Sequence, residues 1–158
     1  MLAQWRMNSD IGELFLVASS QGLQGVYWDK QNAPMLRSLS AANESERILK
    51  QAVAELSEYF SGKRKQFDVS LDMGGTVFQK KVWRQLGKIP YGKTVSYKEI
   101  ASQVSQEKAV RAVGTANGKN PLCIIVPCHR VIAADGSLGG YSGGLERKTK
   151  LLALERSN

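Results

Sequence analysis

Histidine and cysteine are scarce in this chain: 158 residues hold one histidine and two cysteines. All three fall between Cys123 and His129, so they cannot close the four-ligand tetrahedral site that structural zinc requires. Two cysteines, with no basic-then-apolar leader pattern in Met1 to Asp10, make no disulfide framework and lead us to expect a reducing cytoplasm. No apolar run approaches the roughly 20 residues that span a bilayer. Internal repeats and low-complexity segments are also missing. What remains is the balance of a globular chain, with 42% hydrophobic and 23% charged residues.

Negative charge is scarce in one place only. Residues 1–75 carry eight Lys or Arg against nine Asp or Glu, a net of −1. Residues 76–158 carry fourteen against five, a net of +9. A one-sided excess of this kind suits a polyanionic partner. Nucleic acid is favoured over an anionic membrane, because no basic amphipathic helix stands out.

The charge changes sign near Asp72-Met73-Gly74-Gly75, which suggests domains at 1–73 and 74–158. In the first, Gly12 to Ala18 and Gly22 to Trp28 read as strands of a hairpin turned at Ser19–Gly22. Ile48, Leu49, Ala52, Val53, Leu56 and Phe60 recur at helical spacing, and Gly62 stops that helix. Gln66 to Leu71 alternates as a further strand. This half has no histidine or cysteine, and its expected role is structural.

The second half reads as mainly helical. Thr76 with Gln79, and Ser96 with Glu99, form the Ser/Thr-x-x-Glu/Gln pattern of a capping box, each opening a helix. Ile89-Pro90-Tyr91-Gly92 is a turn. A third helix is expected from about Lys108 to Ala116, ended by Asn117-Gly118, and the two short helices suggest a helix-turn-helix. Leu122 to Val126 reads as a short strand and Leu145 to Glu155 as a last helix.

Chemistry concentrates in Val126-Pro127-Cys128-His129-Arg130-Val131. A cysteine is nucleophilic as thiolate and needs a base or a positive charge beside it. The adjacent pair alone leaves two readings open, a nucleophile with its base or a buried inert cysteine beside a structural histidine.

The surrounding pattern is more specific. Pro127-Cys128-His129-Arg130-Val131 resembles the active-site signature of the O6-alkylguanine-DNA alkyltransferases, the methylated-DNA–protein-cysteine methyltransferases. Phe78-Gln79, Val82-Trp83 and Ile89 to Tyr97 resemble the start of that family's C-terminal domain. Arg111-Ala112-Val113-Gly114, Asn120-Pro121 and Tyr141 to Leu145 follow in the family's order, with Glu155 at its acidic position. The resemblance implies an α+β fold: a small antiparallel-sheet, ribonuclease H-like N-terminal domain packed on a mainly helical C-terminal domain containing the helix-turn-helix.

It also implies roles. Cys128 would accept the alkyl group irreversibly, once per molecule, from O6-alkylguanine and, by the same chemistry, O4-alkylthymine. His129 would take the thiol proton through a water, and Glu155 would orient the imidazole. Tyr97 would donate to the departing guanine, with Lys148 assisting, and Asn120 would brace the helix-turn-helix against the active-site strand. Val131, Tyr141, Ser142 and Gly143 would form the pocket for a flipped base. Arg111 would fill the gap that the base leaves. Ala112, Gly114, Thr115, Ala116, Arg130 and Ser96 would meet double-stranded DNA through its minor groove, largely without sequence preference. No cofactor and no metal are expected, nor a zinc site or an added regulatory domain in the N-terminal half. The protein should act as a monomer, and cooperative loading along DNA stays open.

Two other functions compete. A non-catalytic lesion marker would use the same helices, but alkyltransferase-like proteins usually carry tryptophan where this chain has Cys128. A cysteine hydrolase built on Cys128 and His129 would not need a basic half. Cys123 reads as a small buried strand residue.

Overall fold

The computed structural model describes residues 1–104 and 109–158, in two compact units, Met1–Gly74 and Gly75–Asn158. The first unit is a three-stranded antiparallel sheet in the order β1-β2-β3, formed by β1 (Ala3–Ser9), β2 (Gly12–Ala18) and β3 (Leu23–Tyr27). The hairpin of β2 and β3 forms as expected, with a register shift at Val17/Ala18. Strand β1 was not anticipated. Helix α1 (Glu44–Phe60) buries Ile48, Leu49, Ala52 and Leu56 and packs on the sheet. The side chain of Asn43 caps its start by accepting from the Glu46 N–H, and Gly62 at φ 78° ends it.

The strand expected over Gln66 to Leu71 is absent. Only Leu71 bridges to Leu23, because the N–H groups of Asp68 and Val69 donate to the buried Glu55 carboxylate at 2.8 and 3.1 Å instead of to a neighbouring strand.

The second unit begins with α2 (Val77–Leu86), whose Thr76/Gln79 capping box is complete. The two-residue strand β4 (Val95–Ser96) leads into α3 (Tyr97–Gln103), which carries the Ser96/Glu99 box. Helix α4 (Val110–Gly118) packs on both α2 and α3, so α3 and α4 form the helix pair that the sequence suggested. The expected start of α4 at Lys108 lies outside the described residues. A 3₁₀ turn (Cys128–Arg130), strand β5 (Val131–Ile132) and α5 (Leu145–Arg156) complete the unit. The core gathers Val82, Trp83, Leu86, Ile100, Val113, Leu122 and Leu151. Among the described residues no helix is long and apolar enough to cross a membrane.

The expected strand over Leu122 to Val126 is a buried turn. The Val126 N–H donates to the Leu122 carbonyl at 2.9 Å, and Ile124 sits at φ 75°, where a β-branched residue is uncommon. An apolar run of five residues suggested a strand, whereas the polar residue before it sets the turn.

Candidate active site

That polar residue is Asn120. Its amide donates to the Val126 carbonyl at 2.7 Å while its side-chain oxygen accepts from the Leu122 N–H at 3.0 Å. One buried side chain thus closes the loop whose end delivers Pro127 and Cys128. Asn117, on α4, donates to the Cys128 carbonyl at 3.4 Å and ties the helix pair to the same turn. The sequence showed Asn117 only as a helix stop, and nothing local marked this longer bond.

Cys128 is buried, and its thiol is held well above the ordinary range. The first cause is its hydrogen bond with the neighbouring Cys123 thiol, followed by burial; Asn120 and the Lys148 cation act in the opposite direction. At rest the site therefore holds a thiol and needs a base to make the thiolate.

The candidate base is His129. It is buried, and its Nε2 lies 2.7 Å from Glu155 Oε2. Burial pulls the imidazole below its usual value, and Glu155 opposes this without reversing it, so the ring is neutral near pH 7. Because Nε2 faces the Glu155 carboxylate, the ring proton is assigned to Nε2. Nδ1, buried and without a hydrogen-bond partner, then presents its lone pair. No direct hydrogen bond joins the ring to the Cys128 thiol, so a proton passing between them needs a bridging group.

Arg130 gives Glu155 a charged partner. Its Nε and one terminal nitrogen donate to the two carboxylate oxygens at 2.8 and 3.0 Å, and the other terminal nitrogen donates to the Ile89 carbonyl at 2.7 Å. The Gly92 N–H adds a bond to Glu155 at 3.2 Å, and the Tyr91 ring lies 5.6 Å from the guanidinium carbon. The expectation that Arg130 meets DNA is therefore corrected. It is buried, and all three of its nitrogens donate to the protein. Histidine, glutamate and arginine form a row in which each charge has a partner.

Three further expectations need revision. Lys148 is fully buried and donates to the carbonyls of Val131 at 2.7 Å, Gly140 at 3.1 Å and Leu138. Those bonds occupy its three N–H groups, so it straps the loop after β5 to α5 instead of reaching a base. Burial lowers its pKa to about 8, against a smaller upward pull from Cys128. Val131 gives its N–H to Cys128 and its carbonyl to Lys148, leaving little backbone to read a base. Ala116 is buried, its carbonyl taken by the Trp83 indole at 2.9 Å, so it serves the α2–α4 packing and not a DNA surface.

Other expected residues do come together. Parallel pairing of Val95 with Val131 and Ser96 with Ile132 sets the start of α3 beside the cysteine turn. Ser96 spends its hydroxyl capping α3. Tyr97 follows, half-buried. Burial, and after it the charge of a Cys128 thiolate, raise its phenol, while a bond with the Gly140 backbone lowers it. Gly139, at φ 69°, lets the ring approach, since a Cβ there would lie 2.9 Å from the phenol oxygen. A pocket opens between Tyr97, the α4 residues Arg111, Gly114 and Thr115, and the segment Gly140–Tyr141–Ser142. Gly143 follows directly, its carbonyl accepting from Arg147. On α4, Arg111, Ala112 and Thr115 are exposed. A second groove beside that helix is lined by Thr76, Gln79, Arg111 and Lys119. Among the described residues no cluster of three or more His, Cys, Asp or Glu could hold a metal.

Comparison with known proteins agrees with this arrangement. Residues 77–157 match the 6-O-methylguanine DNA methyltransferase DNA binding domain, and residues 6–73 match the ribonuclease-like domain of the same family. A methylated-DNA–protein-cysteine methyltransferase of Methanosarcina barkeri is 43% identical over 152 residues, 96% of each chain. One of Mycolicibacterium paratuberculosis is 57% identical over 113 residues, 72% of this chain and 68% of that protein. The chain spans about two thirds of the length of the mycobacterial relatives that it matches. The crystal structure of Mycobacterium tuberculosis OGT in complex with DNA covers 98% of this chain and 93% of its own at TM-score 0.85 and 45% identity. The chain belongs to the 6-O-methylguanine DNA methyltransferase family.

Proposed function

We propose that this protein repairs DNA by moving an alkyl group from O6 of guanine to the sulfur of Cys128. The observation that carries this reading is the buried row His129–Glu155–Arg130 at the cysteine turn, with His129 Nδ1 left available as a proton acceptor. Relatives named for the activity, and the M. tuberculosis complex with DNA, support it.

The reaction runs as a displacement at carbon. The thiol proton passes through a bridging water to His129 Nδ1, and Glu155 stabilises the imidazolium that results. The thiolate attacks the alkyl carbon, the carbon–oxygen bond breaks, and guanine leaves with a hydrogen bond from Tyr97. Thiolate charge raises the Tyr97 phenol, so that proton stays available as a donor until sulfur has lost its charge. A thioether has no easy leaving group. Each molecule therefore acts once.

Access requires flipping, because O6 is hidden in a base pair. The pocket between Tyr97 and Tyr141–Gly143 takes the base, while exposed Arg111 fills the gap. Helix α4 enters the minor groove by way of Ala112, Gly114 and Thr115. The space beside Gly114 is open for a close approach. The basic residues of 74–158 neutralise phosphates, and 1–73 is structural. The protein acts as a monomer in the cytoplasm, and O4-alkylthymine is a second substrate.

Incubation with methylated duplex DNA and intact-mass measurement tests this. One methyl should appear per molecule, located on Cys128 by fragmentation of the peptide Asn120–Arg130, and none in Cys128→Ser. Sustained turnover, or a methyl elsewhere, overturns it.

A further inference from the structure

One buried side chain of the pocket wall has a polar end to spare. Asn117, on α4, is 4% exposed, and its amide nitrogen donates to the Cys128 carbonyl at 3.4 Å. That bond settles which end of the amide is which, because a carbonyl needs a donor. The other end, Oδ1, is buried without a hydrogen-bond partner. A stranded amide oxygen is uncommon inside a folded protein and costs stability, so its presence calls for a reason. Asn117 also lines the pocket that Tyr97, Gly140, Tyr141 and Ser142 share.

We propose that Asn117 Oδ1 accepts a hydrogen bond from the exocyclic 2-amine of the guanine in that pocket, and so sets a preference for O6-alkylguanine over lesions without that amine. The inference rests on the pocket being the seat of the flipped base. Donor and acceptor then match. Alkylation at O6 leaves N1 of guanine without its proton, so the ring nitrogens only accept and the 2-amine is the one donor of the base. An amide oxygen only accepts. O4-alkylthymine has lost its ring proton in the same way and has no amine, so it offers Asn117 nothing.

The surroundings favour this pairing. The Val131 and Gly140 carbonyls, which could otherwise serve an amine, already accept from Lys148. The bond from Asn117 to Cys128 is longer than the usual ~2.9 Å, which leaves the amide room to tilt towards the pocket when a donor arrives. Because the same side chain holds the backbone of Cys128, a base seated on Oδ1 takes its position from the residue that attacks it.

The test compares two methylated duplexes that differ only in the amine, one with O6-methylguanine and one with O6-methylhypoxanthine, in single-turnover transfer to the whole protein. The wild type should react faster with the amine-bearing base by about tenfold, the worth of one buried hydrogen bond. Asn117→Leu keeps the volume and removes the acceptor, and its two rates should agree within about twofold once that bond is gone. Loss of the contact with the Cys128 carbonyl slows both substrates alike, and any difference in ease of flipping is common to both proteins, so neither alters the comparison. Should Asn117→Leu fail to fold, Asn117→Ala removes the same oxygen without needing space, and its preference should collapse in the same way. No preference in the wild type, or a full preference kept by the folded variants, would overturn the proposal. A wild type that takes a methyl from neither duplex would sink the alkyl-transfer reading as well, so the two failures are distinguishable.

Discussion

Among the described residues each unit buries one glutamate, and the two have different partners. Glu55, in the first unit, accepts from the Asp68 and Val69 N–H groups and from the Gln51 amide. Glu155, in the second, accepts from both sides of Arg130 and from Gly92, and meets the ring of His129. Glu55 holds a strandless segment in place through neutral donors. Glu155 is surrounded by groups that carry or exchange protons. Burial of a carboxylate therefore says little about function until its partners are named: backbone donors make a staple, and a histidine with an arginine makes the row to which we assign proton transfer.

Substitution should separate the two. Glu155→Gln should slow methyl transfer by about 10²–10⁴, the usual worth of positioned acid–base chemistry. It also strands Arg130, at a stability cost of about 3–5 kcal/mol. Glu55→Gln should lower stability by about 1–3 kcal/mol through weakened buried bonds and leave the transfer rate of folded protein unchanged. Urea unfolding and single-turnover repair of a methylated duplex measure both quantities, and equal loss of rate would erase the distinction.

Arg111→Ala should come next in size. Repair of duplex DNA should slow about tenfold, ~1.4 kcal/mol, while transfer from free O6-benzylguanine, which needs no flipping, stays near the wild-type rate. Similar losses on both substrates would give Arg111 a structural role.

The pH dependence is gentler. His129 is depressed below 6.5, so transfer should hold at neutral pH and fall only as pH drops below that value and the base fills. The stability effect has the same sign. The unfolded chain binds the proton more readily, so the folded state loses stability as pH falls from 6.5 through the lower native value. A transfer rate that rises towards acid would remove His129 from the role of base.

The smallest effect belongs to single surface charges. DNA affinity should fall linearly on a log–log plot against salt, and Lys119→Ala should reduce that slope by about one. An unchanged slope would place Lys119 away from phosphate.

Sequence was most informative where structure is local. Both capping boxes and the Gly62 stop depend on residues within four positions, and all three form. It misled where one polar side chain replaced a strand partner: Glu55 took the N–H groups of the expected strand at 66–71, and Asn120 bent the one at 122–126. Strand β1 stayed hidden because Gln4 breaks the apolar alternation. That side chain is buried and bonded to Gln31 and Ala33. Within the site, Cys128, His129, Glu155 and Tyr97 were legible through their resemblance to a family. Arg130 was misplaced because a basic residue in a basic half suggests DNA, and only the fold shows the carboxylate that claims it.

Helix α5 supplies Glu155 to the row with His129 and Arg130 and Lys148 to the loop after β5, and it follows every other residue of the site in the chain. During synthesis the segments emerge in order, so Cys128 and His129 leave the ribosome before either partner exists. Until α5 docks, the histidine has no carboxylate to steady its charge, and the pocket wall has no strap. On the proposed mechanism, the growing polypeptide therefore lacks part of its proton-transfer row until α5 has emerged and docked.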